Sequence, residues 1–425
     1  MRVALITYEY PPDTADGGIA TYAVQTARML AGRGHHVEVF AGIREGSSQR
    51  NDSGAIIHRL YIDNRATFSK AVAPVFASRH SQVGFDVLEG PDFEAEAAGA
   101  CELVPDVPLV VRLHTPACLI EGIEAASAPF RWRCRRRIAS AMRGHRPPWH
   151  PLHKSHDAER RHMLSADEVV APSRSMAAWV QRAWGVPAER TTCIPNPFVP
   201  SPKLLQIPIE SETNIVTYVG RLELRKGVVD LAEAIPKVLR RFPSTIFRFV
   251  GRPLSSPRPR MQMDEYLRDR LARFLGSVRI EGPVDPEEIA GVLANTDVCV
   301  FPSRFESFGM AAVEGMAAGR GVVCTAGTGL EEVVAGGRCG LLVPPRNPAE
   351  LAKAICYLLE HPAERMVLGR VAREHVLNAF SWESVGTVQE ASYHRAIDRR
   401  RGRPLSASAA RRAGRAAADV AGLPA

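Results

Sequence analysis

The sequence predicts two doubly wound α/β domains, each a parallel sheet with helices on both faces, joined by a proline-rich hinge. Three observations carry that expectation. The chain has 425 residues, too many for one ordinary domain and comfortable for two of about 200. Short apolar runs alternate with longer amphipathic stretches, the pattern of parallel strands and crossover helices. The stretch 194–208, IPNPFVPSPKLLQIP, holds five prolines in 15 residues, which excludes a helix or central strand and reads as a linker.

Strands are expected in the first half at 2–7, 36–41, 85–89, 108–113, 167–171 and 191–194. The helical pattern 19–33 ends at Gly34, a natural stop. After the linker the alternation restarts, with strands at 214–220, 245–251, 278–281, 297–301, 321–324 and 339–342. A last helical run, 347–398, carries no strand. The tail from 399 is rich in Arg, Ala, Gly and Pro, and disorder is expected there.

Composition narrows the class. Hydrophobic residues at 45% and charged residues at 24% exclude a disordered, collagen-like or coiled-coil chain. No window approaches the ~18 uninterrupted apolar residues of a spanning helix. The opening MRVALITYEYPP is too short in apolar residues for a signal peptide core and reads as a buried first strand. Eight scattered cysteines without a C-x-x-C pair form neither a disulfide framework nor a zinc site and suit a reducing compartment, so a cytoplasmic protein is expected. The net charge of +8 is concentrated in two places. Residues 131–146 hold seven Arg and no acid, and 399–425 hold seven Arg and one Asp, which leaves the rest slightly acidic.

In doubly wound sheets ligands bind beyond the carboxyl ends of the strands, and with two domains the expected site is the cleft between them. Four loops stand out. In TYEYPPDTADGGIATYA, 7–23, Gly17 and Gly18 open a helix, where backbone can approach a ligand and N–H groups can meet an anion; a plain flexible loop would look the same. No G-x-G-x-x-G is present. In VVRLHTPA, 110–117, His114 ends an apolar strand, where an imidazole can donate to a ligand or be bonded into its own loop. In TYVGRLELRKGVVDLAEAI, 217–235, Arg221 and Lys226 flank a tight turn, an arrangement suited to a diphosphate. In TDVCVFPSRFESFGMAAVEGMAAGRGVVC, 296–324, a buried strand leads through Glu306, Ser307, Phe308 and Gly309 into a small-residue helix. Gly309, Met310 and Ala311 lie at its start, where amides and the positive dipole end favour phosphate. Glu314 stands in that helix among Ala, Val, Gly and Met and requires a partner, either a salt bridge or the hydroxyls of a ribose.

This set resembles the retaining family-four glycosyltransferases of the GT-B fold. ADEVVAPS (166–173), IPNPF (194–198), RIEGPVDPEEIAGVLANTDVCVFPS (279–303), GLEEVV (329–334) and GLLVPPRNPAELAKAI (340–355) fit as well. The likeness runs from about residue 1 to 395 and is most specific over 214–360. It implies two facing Rossmann-like domains: 1–200 on the acceptor side and 209–380 for the nucleotide sugar, with a helix at 381–398 crossing back and the basic tail at 399–425. It implies that Arg221 and Lys226 bind the diphosphate, Glu314 the ribose and Glu306 the donor sugar. Gly309, Met310 and Ala311 would contact sugar and phosphate, Gly18 the phosphate from the other domain, and His114 the sugar side. The chain departs from the family at Asn196-Pro197, where Asn-Gly is frequent, which lowers the weight of Asn196.

The expected reaction is retaining transfer from a nucleoside-diphosphate sugar to an acceptor hydroxyl, without a metal or other cofactor, since no D-x-D or ligand cluster is present. The acceptor is an open choice among glycans, lipid-linked and small-molecule compounds, and Gly251, Arg252, Pro253 and Arg279 are candidates for reading the base. The segment 131–146, with Trp132, Ile138 and Met142 among its arginines, is weakly amphipathic and is a candidate for peripheral contact with a membrane; a solvated basic helix is the alternative. A nucleotide-sugar epimerase of the same architecture would use acid–base carboxylates in the first domain, for which Asp13, Asp16, Glu89 and Asp92 are candidates. A nucleic-acid-binding protein would rest on the arginines alone, without a fold signature or serial stacking aromatics, and nucleic acid is not expected as a partner.

Overall fold

The computed structural model describes residues 1–14, 17–44, 48–127 and 130–402. The chain divides into two compact units. One comprises Met1–Glu121, Arg137–Val199 and the chain from Ala379; the other comprises Gly122–Arg136 and Pro200–Asn378. Among the described residues no helix is long and apolar enough to cross a membrane.

The first unit contains β1 (Arg2–Thr7), β2 (His36–Ile43), β3 (Ser48–Asp52), β4 (Ala55–Tyr61), β5 (Val87–Pro91), β6 (Leu109–Arg112), β7 (Glu168–Ala171) and β8 (Thr191–Cys193). They form one sheet in the order β3-β4-β2-β1-β5-β6-β7-β8, parallel except for the β3–β4 hairpin. The buried strands are largely apolar, as both-face burial demands, with buried charges such as Glu38 in β2 and Arg112 in β6 as exceptions. The hairpin was absent from the expected strands. Asp52 pairs with Ala55 across Ser53 and Gly54, both at positive φ, a two-residue turn whose twist suits paired strands.

The second unit contains β9 (Ile215–Val219), β10 (Ile246–Val250), β11 (Val278–Glu281), β12 (Val298–Phe301), β13 (Gly321–Thr325) and β14 (Leu341–Val343), all parallel in the order β11-β10-β9-β12-β13-β14. In each unit the order reverses beside the first strand. The loops after β1 and β5, and those after β9 and β12, therefore leave side by side and diverge, which opens a crevice at their carboxyl ends.

Two expectations need correction. The segment 194–208 is not wholly irregular: Pro202–Leu205 forms one helical turn, because a proline is tolerated in a first turn and the Ser201 hydroxyl caps it by accepting from the Leu204 N–H. The last helix, Trp382–Arg400, also outruns its expected end at 398, so the tail does not begin at 399; residues 403–425, where disorder was expected, lie outside the described residues.

That helix belongs to the first unit, after the whole of the second has been built. Val385, Val388, Tyr393, Ala396 and Ile397 join the core formed by β1, β2 and β5. Its polar face is also committed. Glu168 on β7, fully buried, accepts from Arg395 Nε at 2.9 Å and Nη2 at 2.6 Å, from Thr192 Oγ1 at 2.5 Å, and from Arg399. Burial pulls the Arg395 guanidinium down to about 10, so it stays charged at neutral pH beside that carboxylate. Glu168→Ala leaves two arginines uncompensated and is expected to cost about 3–5 kcal/mol of stability. A urea midpoint unchanged from wild type would count against this lock.

Candidate functional site

In the second unit the two loops that flank the strand-order reversal are pressed together. Gly227 follows the turn Leu224–Lys226 with φ 71°, and a Cβ there would lie 1.9 Å from the Pro302 carbonyl oxygen. Only glycine permits that approach. The contact is reinforced on both sides. The Arg304 N–H donates to the Arg225 carbonyl at 2.7 Å, and the Arg304 guanidinium meets buried Asp230 with two bonds, at 2.9 and 2.8 Å.

The charges of the site follow from this contact. Lys226 Nζ pairs with Glu306, whose carboxylate is buried. Arg221, 41% exposed in its side chain, lies 3.4 Å from Glu223. Between them sits Arg225, 3% exposed: Nη2 donates to Glu223 at 2.6 Å, Nη1 to the Phe305 carbonyl at 3.3 Å, and Nη1 lies 3.8 Å from Glu306. Burial pushes the Glu306 carboxyl up, but Lys226, Arg225 and Arg221 overcome it and hold the group below its ordinary value, ionised.

The helix Met310–Ala317 starts at Gly309, φ 109°, packed against Leu330 of the neighbouring helix Gly329–Val333. The Gly329 N–H donates to the Glu306 carbonyl at 2.8 Å, which fixes the segment Glu306–Gly309 above the helix start. Ser307 is half-buried. Phe308 is buried, so the ring is a packing element and only its backbone can face a ligand. The Glu314 side chain, half-buried, has no ion pair or hydrogen bond among the described residues, and burial raises its carboxyl to about 7. It has not found the salt bridge that was one reading of it. Gly251 lies so close to Gly220 that a Cβ would sit 2.0 Å from the Gly220 oxygen, and the Arg252 carbonyl accepts the Leu222 N–H, so this loop braces the Arg221 loop. Arg279 stands exposed on β11, two strands from β9.

In the first unit Gly17 and Gly18 are exposed at the start of the helix Gly18–Gly32, which has no side-chain cap. His114 follows β6 and donates its backbone N–H to Asp92 Oδ1 at 2.8 Å; its ring stands edge-on to Tyr22, centroids 5.5 Å apart. Burial, with Arg112 and Arg65 nearby, pulls the imidazole down to about 3, so it is neutral. A small cavity of about 20 Å³, lined by Thr7, Ile19, Tyr22, Glu89, Arg112 and His114, has room for one water. Arg112 is fully buried, donates to Asn196 Oδ1 at 2.6 Å and to the Ile194 carbonyl, and stacks on Tyr22. Its Nε and Nη1 have no protein partner, which a water in the cavity would supply. Asn196 thus serves as an anchor for Arg112.

The candidate acid–base carboxylates of this unit are tied into its structure. Glu89 accepts from Tyr22, Gln389 and Tyr393, at 2.6, 2.9 and 2.8 Å. Asp13 pairs with Arg59, and Asp92 is fully buried beneath the His114 loop. Asp16 lies outside the described residues. No group of three or more His, Cys, Asp or Glu is arranged to hold a metal ion among the described residues.

Two family models cover most of the chain: glycosyltransferase family 4 over residues 16–201 and glycosyl transferases group 1 over 213–361. The chain belongs to the group 1, family-four glycosyltransferases. This glycosyltransferase is 26% identical over 422 residues to a glycogen synthase of Mycobacterium tuberculosis, covering 92% of this chain and 94% of the relative. It is 27% identical over 432 residues to D-inositol 3-phosphate glycosyltransferase 2 of Catenulispora acidiphila, covering 93% and 95%. Sucrose-phosphate synthase from Thermosynechococcus elongatus superposes with a TM-score of 0.69 at 24% identity, covering 92% and 98%, which shows the GT-B fold. The enzyme moves sugar from a nucleotide sugar, and the epimerase alternative is not favoured.

Sequence reading of the transferase missed Arg225, Glu223, the Arg304–Asp230 clamp and Arg112. Arg225 left no signal in the sequence, because it stands in the tight turn Leu224–Lys226, where an arginine reads as solvated. Glu314 yields a pH test. With its folded value at about 7 against 4.5, the folded chain keeps a proton the unfolded chain has lost. Its contribution to stability therefore falls as pH rises from 4.5 to 7 and stays low above that. Glu314→Gln is expected to melt higher than wild type at pH 8, by up to about 3 kcal/mol, with no difference at pH 4. Equal shifts at both pH values would contradict the buried, unpaired carboxyl.

Proposed function

We propose that this glycosyltransferase moves a hexosyl group to an acceptor hydroxyl with retention of anomeric configuration, using fixed cations in place of a metal. The observation that carries the reading is the packing of the Arg221–Lys226 turn against the Glu306–Gly309 segment, which puts two reachable cations beside a helix start. A hexosyl group is supported by the glycogen synthase that the chain matches along nearly its whole length.

The diphosphate takes Arg221 and Lys226 as counter-charges, and the amides at Gly309, Met310 and Ala311 face phosphate and sugar. Lys226 leaves Glu306 to do so, and Glu306 accepts from hydroxyls of the donor sugar. Glu314 accepts the ribose hydroxyls that its buried carboxyl lacks in the chain itself. Within the first unit, the helix start at Gly17 and Gly18 is proposed to offer backbone to phosphate, and His114, as a neutral imidazole, to donate to or accept from a sugar. As the C1–O bond breaks, its electron pair passes to the diphosphate; the acceptor oxygen bonds C1 on the same face, and its proton goes to the leaving phosphate oxygen. Charge grows on the diphosphate in that step, so Arg221 and Lys226 stabilise the transition state more than the ground state.

Removing one cation is expected to raise the barrier by about 3 kcal/mol. A thermal-shift panel of UDP, GDP and ADP sugars tests the site: one nucleotide class at 100 times its Kd should stabilise wild type by ~2.7 kcal/mol and leave Arg221→Ala unshifted. No shift with any sugar would remove the donor site. Turnover of the donor that binds should survive EDTA, and its loss would overturn the metal-free chemistry.

The helix Phe130–Met142 supports contact with an anionic lipid surface. It has no buried residue; Phe130, Ile138 and Met142 are 75%, 60% and 83% exposed, Ile138 and Met142 share one face at four-residue spacing, and Arg136 stacks on Trp132. The protein should float with vesicles containing phosphatidylserine and remain behind at high salt or with neutral vesicles. Absence of flotation at low salt would end the idea.

A further inference from the structure

We infer that Arg225 is a positioning residue, whose guanidinium keeps the Glu306 carboxylate in place and ionised when Lys226 turns from it to the donor's diphosphate. The inference rests on the donor-site reading above and extends it to a residue that touches neither sugar nor phosphate.

The geometry is specific. Glu306 is buried, and two cations stand by it: Lys226 in direct contact, and Arg225 with Nη1 at 3.8 Å. Lys226 carries its charge on a flexible stem and is 21% exposed in its side chain, so it can swing to an incoming anion. Arg225 cannot. Its planar fork is fixed on one side by Glu223 at 2.6 Å and on the other by the Phe305 carbonyl, and its own carbonyl holds the Arg304 N–H. A buried carboxylate that lost its only cation would take up a proton or turn to solvent, and would then accept no sugar hydroxyl in either case. The fixed guanidinium prevents both.

Charge counting gives the same result. Arg221, Arg225 and Lys226 face Glu223 and Glu306, three cations against two carboxylates. A bound diphosphate brings about two more negative charges. Without Arg225 the deficit would fall on Glu306, the carboxylate that Lys226 has just left.

The test uses UDP, ADP and GDP with their glucose esters, choosing the base that binds wild type, and reads the Kd of the free diphosphate and of its sugar ester from pH 5 to 8. Glu223→Gln/Arg225→Met removes one carboxylate and one cation and so keeps the net charge of the cluster. It should bind the free diphosphate within about threefold of wild type and the sugar ester about tenfold more weakly, with the loss growing as pH falls. Arg225→Lys should recover most of the ester affinity. Arg225→Gln, tested alone and with Glu306→Gln, gives a second route if the first variant fails to fold: its penalty on the ester should vanish once the carboxylate it serves is gone. An unchanged ester-to-diphosphate ratio in a folded variant overturns the inference, as does an equal loss of both ligands, which would make Arg225 part of the phosphate site. If no diphosphate binds wild type, the donor-site reading fails first and takes this inference with it.

Discussion

The site of the second unit depends on how near the loop after β9 can come to the loop after β12. Gly227 sets that distance, because its missing side chain lets the turn rest on the Pro302 carbonyl. From there Lys226 reaches Glu306, Arg225 slips between two carboxylates, and Arg304 folds back onto Asp230. A methyl group at 227 would collide with that carbonyl and force the two loops apart. The strand order does the rest, since the reversal beside β9 brings these two loops out next to each other.

Burying so much charge is costly unless each group has a partner in the empty state. The chain meets that requirement by pairing its cations with its own carboxylates. In the proposed donor site an incoming diphosphate would replace existing partners and would not enter a field of bare charge. At this site Glu314 is the exception among the described residues, a half-buried carboxyl without a cation, held above its ordinary value by burial.

The sequence made the sheets legible because parallel strands buried on both faces are largely apolar, as at β1, β6, β12 and β13. The β3–β4 hairpin escaped notice because β3 is polar, and the hairpin turn Ser53-Gly54 is a weak signal beside Asn-Gly. Arg221, Lys226, Glu306 and Glu314 could be picked out because each stands at a strand end or in a helix of small residues. Arg225 and Arg112 could not, because an arginine in a loop reads as solvated until the structure shows it enclosed. His114 was readable by position alone; its neutral state comes from burial, from Arg112 two residues before it and from Arg65, far from it in the chain.

The contribution of the last helix to the first unit has a consequence for how the protein is made. Glu89 takes two of its three donors, Gln389 and Tyr393, from that helix, and Glu168 takes Arg395 and Arg399. While the chain is growing, the first two hundred residues leave the ribosome with Glu89 holding only Tyr22 and Glu168 only Thr192, and with the hydrophobic strip that Val385, Val388 and Ile397 will cover open to water. The second unit, whose strands and loops are contiguous from β9 to β14, can close as soon as it emerges. The domain synthesised first is therefore completed only after the second has emerged, when the helix Trp382–Arg400 is translated.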